Sequence, residues 1–99
     1  MSREPIILHI DLGNQSLSNW IKENKYIIFS EIIRYIRILL ESDEDSIQVL
    51  LISNLADNIV LMVKRTEVEL SLNLAMEYFM EIEEYEKCAE IRDLMFLIK

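Results

Sequence analysis

Glycine and proline each occur once in the 99 residues, as Gly13 and Pro5. A loop that cradles phosphate needs several glycines so that its backbone can approach the ligand, and a calcium loop needs one at its sharp turn. Nucleotide binding through such a loop is therefore excluded. The acidic triplet Asp43-Glu44-Asp45 has neither the spaced oxygens nor the glycine of a calcium loop, so no metal is expected there. Cysteine is also present once, as Cys88, which rules out an internal disulfide and suits a reducing compartment. The single histidine, His9, lies in an apolar run without partners for metal binding or catalysis, and reads as a packing residue. The longest run without a charge, residues 46–56, is about half of the roughly twenty residues a membrane-spanning helix requires. Near the start, Arg3 is followed at once by Glu4 and then by a short apolar patch, Ile6, Ile7 and Leu8, which is not a signal-peptide pattern. The expected location is the cytoplasm, with no membrane partner.

Basic residues are scarce relative to acidic ones, 10 against 18, giving a net charge of −8. The imbalance is uneven: residues 1–40 sum to +1, residues 41–65 to −3 and residues 66–99 to −6. An acidic surface repels phosphate, so direct nucleic-acid binding is not expected. It leaves open an acidic mimic of nucleic acid that blocks a basic site. Apolar residues make up 52% of the chain, whereas a domain this small buries only about two-thirds of its unfolded surface. Some apolar surface is thus expected to be covered by a protein partner or by a second copy, which points to a homo-oligomer.

The length allows a single domain over residues 1–99. Residues 1–15 carry a β-branched run that ends at Gly13-Asn14 and predicts a short extended arm, lying on the helices or pairing with another copy. Residues 16–23 read as a short helix capped by Ser16, with Trp20 docking it on the core. Residues 25–42 form the clearest amphipathic helix, with Phe29, Ile32, Ile33, Ile36, Leu39 and Leu40 on one face and Glu31 within reach of Arg34. Asp45, with Gln48 three residues on, predicts the start of the next helix. Residues 46–64 fit two templates. Ile47, Leu50, Leu51, Leu55, Ile59, Met62 and Val63 keep a helical spacing, while residues 49–53 and 59–63 would serve as two strands around a loop. The absence of glycine from that loop favours one central helix, closed by Lys64 and Arg65 at its C-terminus. Thr66 and Glu69 then predict a capped start for the following helix.

Residues 66–82 and 85–98 read as two antiparallel helices around the acidic junction Glu83-Glu84. The second turns Cys88, Ile91, Leu94, Met95 and Ile98 inward and Glu86, Glu90 and Asp93 outward. Cys88 and Ala89 are small enough for close helix approach. Within this stretch Tyr85-Glu86, Cys88-Ala89 and Ile91-Arg92-Asp93 follow in an order and spacing that resembles the UVR motif. That motif is the short helical hairpin of the UvrB and UvrC repair proteins, of ClpC-type chaperones and of McsA-type adaptors. The resemblance covers residues 75–98, about a quarter of the chain, and Cys88 stands where alanine is commoner. It implies a hairpin that pairs with other hairpins or docks on partner proteins, with Tyr85, Ala89 and Arg92 on the contact surface and Tyr78, Phe79 and Ile82 adding apolar area. It implies no helicase or nuclease activity, since nothing else in the chain resembles those proteins.

The expected fold is mainly α: about four to five helices, with a helical core over residues 16–64, a C-terminal UVR-like hairpin over residues 66–98 and an N-terminal extended arm. The expected function is that of a non-enzymatic, self-associating adaptor or regulator, with acidic nucleic-acid mimicry as the alternative. No catalytic residue, cofactor or metal ligand is assigned. Cys88, the one candidate nucleophile, lies in a helical run and reads as a packing residue.

Overall fold

A computed structural model describes residues 8–98. Residues 1–7, and with them much of the expected arm, lie outside the described residues. The elements run β1 (Leu8–Asp11), α1 (Leu17–Glu23), α2 (Lys25–Leu40), β2 (Ser46–Ser53), β3 (Asn58–Lys64), a 3-10 turn (Arg65–Glu67), α3 (Val68–Glu81) and α4 (Tyr85–Met95). The fold is therefore mixed α/β rather than mainly α. Three strands form one sheet in the order β1-β2-β3, with β1 parallel and β3 antiparallel to β2.

The largest correction concerns residues 46–64, which form a β-hairpin and not a central helix. Ile47, Val49, Ile52, Ile59, Val60 and Val63 are β-branched and fit a pleated surface better than a helix. The missing glycine is replaced by a side chain. Asn54 Oδ1 accepts from the backbone N–H groups of Ala56 and Asp57 at 2.9 and 2.8 Å, and the Asn54 N–H donates to the Asp57 carbonyl at 2.9 Å. An asparagine that bonds to its own loop in this way closes a turn without glycine. Two capping expectations fall with the helix. Asp45 precedes a strand, and its carbonyl accepts the Arg65 backbone N–H at 2.7 Å. Thr66 lies in the 3-10 turn, while α3 starts after Glu67 without a side-chain cap.

The expected arm supplies β1, which pairs within its own chain: Leu8 lies beside Leu50 and Ile10 beside Ile52. Its continuation is fixed by the Leu12 N–H on the Ser53 carbonyl and the Leu55 N–H on the Gly13 carbonyl, both at 2.8 Å. Gly13 adopts φ +60°, which suits glycine at this tight turn. Ser16 caps α1, its Oγ accepting from the Asn19 N–H.

The helices cover one face of the sheet. Leu50, Ile52 and Val63 are buried beneath them, with Ile10, Ile47 and Leu61 partly buried on the same face. From α2 come Ile28, Ile32, Ile33, Tyr35, Ile36 and Leu39; from α3, Val68, Leu72, Ala75 and Phe79; from α4, Ile91 and Leu94. An aromatic cluster joins α2 to α3: Phe29 stacks on Tyr78 at 5.2 Å, and Tyr26 meets Phe79 edge-on at 5.6 Å. The molecule measures 42 × 39 × 20 Å, the thickness of one helical layer on one sheet.

Candidate interaction surfaces

The expected partner-binding residues fall into two groups. Tyr78 and Phe79 face into the molecule: Phe79 is fully buried, and Tyr78 is half-buried against Phe29 and Phe79. Phe79 offers no contact area as the protein stands. Ile82, Tyr85 and Arg92 are exposed, and Ala89 is half-buried. Ile82 and Tyr85 flank the turn between α3 and α4, while Arg92 lies two helical turns further along α4.

That turn has a defined geometry. Ile82 ends α3, Glu83 follows at φ +62°, and Glu84 precedes α4. The Glu84 N–H donates to the Phe79 carbonyl at 2.8 Å and the Glu83 N–H to the Met80 carbonyl at 3.1 Å. This pair of bonds is the Schellman motif, whose left-handed position is ordinarily glycine. Glutamate here holds a left-handed conformation that side chains rarely adopt. The turn keeps Met80, Ile82 and Tyr85 outward, at 58, 42 and 66% exposure. Around them lie the exposed carboxylates Glu77, Glu81, Glu83 and Glu86. Lys87 approaches Glu90 at 4.0 Å. Cys88 is half-buried against the core.

A second surface was not anticipated from the sequence: the outer face of the sheet. His9, Leu51 and Val60 form one row across it, and Gln48 and Met62 the next. Val60 and Met62 are exposed, and His9 Nε2 lies 3.0 Å from Ser53 Oγ. The alternation of Val60 and Met62 with Leu61 and Val63 is the sequence signal for this two-sided strand, and it is audible only once the helical reading of residues 46–64 is dropped.

The chemistry of small-molecule sites has little footing among the described residues. No group of three histidine, cysteine or acidic side chains there could hold a metal. An open depression is lined by Asp45, Ser46, Lys64, Arg65 and Thr66. Its guanidinium is already engaged: Arg65 donates to the carbonyls of Leu39, Ser42 and Glu44 at 2.7–2.9 Å. Arg65 therefore ties the end of β3 to the C-terminus of α2. No described helix is long and apolar enough to cross a membrane. Compared with models of protein families, with curated proteins and with solved structures, the chain matches none.

Proposed function

We propose that the protein is a non-enzymatic interaction module of the cytoplasm, a small acidic adaptor or regulator that self-associates and docks a partner protein on the outward side of α3 and α4. The observation that carries this reading is the exposed apolar group Met80, Ile82 and Tyr85, held at the α3–α4 turn by a strained Schellman motif. Backbone strain of this kind concentrates where function requires a fixed shape. The resemblance of residues 75–98 to the UVR motif supports the same surface and adds Ala89 and Arg92 to it. Tyrosine and arginine are also among the residues most enriched as interface anchors.

Affinity capture from native lysate tests the reading, comparing the intact chain with a folded Tyr85→Asp, Arg92→Glu double variant. A protein retained by the intact chain and lost from the variant is the expected result. Equal capture by both would remove the α3–α4 surface from the function. The exposed carboxylates around the same turn favour a second reading, an acidic mimic that occupies a basic nucleic-acid-binding site. Capture that weakens steeply between low and moderate salt would select it over apolar docking.

A further inference from the structure

Among the described residues, the hairpin leaves β3 at the edge of the sheet, paired with β2 alone. A free edge presents unpaired backbone donors and acceptors to any other strand, and proteins that work alone protect it. They shorten the edge strand, bulge it, or place proline or charge on it. β3 lacks these devices along most of its length. It has seven residues, five consecutive apolar ones from Ile59 to Val63, no proline and no charge before Lys64. The irregularity in the hairpin register falls in β2, between Gln48 and Leu50, and puts no extra residue into β3.

We propose that this edge pairs antiparallel with β3 of a second copy, about a two-fold axis through Leu61, joining two three-stranded sheets into one of six strands. The proposal rests on the self-association in the function proposed above and gives it a surface. The sequence of β3 is complementary to itself in this register. Val60 faces Met62 of the second copy, Ile59 faces Val63, and Asn58 faces Lys64. Just beyond the strand, Asp57 of each copy comes opposite Arg65 of the other, whose Nη1 takes no part in the three carbonyl bonds made through Nε and Nη2. Moving the axis one residue either way sets Asp57 opposite Val63, or Lys64 opposite Val60, so charge pairs with charge only in the central register. Charge does not oppose this surface: residues 57–65 sum to +1 in a chain of net charge −8. Val60 and Met62 lie on the same outer face, so the two helical layers fall on one side of the joined sheet and the open faces become continuous.

Sedimentation velocity over a concentration series tests the proposal with three forms of the full chain, circular dichroism confirming the fold of each. Val60 and Met62 are exposed on the outer face, so substituting them leaves the core untouched. Val60→Lys with Met62→Lys sets like charges opposite one another twice across the axis; Val60→Lys with Met62→Glu sets opposite charges there. The intact chain is expected to dimerise. The first variant is expected to raise the dimer Kd about tenfold or more, and the second to restore it to within about threefold, as cross-strand pairs of like and unlike charge do. An intact chain that stays monomeric at high concentration would overturn the proposal, while the α3–α4 docking surface would still stand or fall by lysate capture. A dimer indifferent to the two lysines would overturn it too, moving self-association to another surface. If the unlike-charge variant dissociated as fully as the like-charge one, the register through Leu61 would be wrong.

Discussion

Arg65 shows how a residue can be assigned the right chemistry and the wrong place. A cation after an apolar run is expected at the C-terminus of the helix it follows, where the dipole is negative. Arg65 does serve a helix C-terminus, but that of α2, twenty-five residues earlier in the sequence at Leu40. Only the folded hairpin brings the two together. Arg65→Ala removes three charge-assisted bonds and is expected to cost about 2–4 kcal/mol of stability, read from the urea midpoint. Arg65→Lys should recover part of this, because an ammonium lacks the guanidinium fork that reaches several carbonyls at once. Ser30 is the opposite case: its buried Oγ has no hydrogen-bond partner among the described residues. Ser30→Ala is expected to be neutral or to stabilise by up to about 1 kcal/mol in the same measurement, since a buried unpaired hydroxyl costs free energy. Other residues were legible directly. Ser16 caps α1, Glu31 lies 3.7 Å from Arg34, and Ile91 and Leu94 point inward as their spacing requires.

Among the elements, the helices with long amphipathic patterns were legible and the strands were not. Residues 25–40 repeat their apolar positions over four turns, too many for a strand to imitate. β2 and β3 are runs of eight and seven residues, apolar on both sides in places, and such runs satisfy a strand and a buried helix equally. The absence of glycine favours the helix, yet Asn54 supplies the turn by hydrogen bonds that composition does not reveal. Asn54→Ala removes both acceptor bonds and is expected to destabilise the protein by about 1–2 kcal/mol in thermal or urea unfolding. The α3–α4 turn predicts the reverse change. Glu83→Gly relieves a left-handed side chain and is expected to stabilise by about 1 kcal/mol. An unfolding midpoint that fell in this variant would show that Glu83 contributes more through its carboxylate, which lies 3.5 Å from the Tyr85 hydroxyl, than its backbone conformation costs.

At the scale of the whole molecule, the apolar excess in the composition becomes specific. Helices cover one face of the sheet; the other face, the β3 edge and the α3–α4 turn keep large apolar side chains in solvent. The amount of uncovered surface could be anticipated from length and composition, because a small domain has too little interior. Its position could not, because it depends on which face of a sheet the helices choose, and the sheet itself was hidden in an ambiguous run. Ile82, Tyr85 and Arg92, contact residues in what the resemblance implies, are exposed, whereas Phe79, given the same role, is turned into the core by its place on α3. In the association proposed above, the chain completes itself with β3 as the joining edge. Hydrogen–deuterium exchange, followed by mass spectrometry on the intact chain at dilute and at concentrated protein, tests it most directly. With β3 paired across two copies, amides of Asn58–Lys64 are expected to gain protection as concentration rises while those of α1, remote from the edge in sequence and packed on α2, do not. Exchange in β3 that is the same at both concentrations would contradict it.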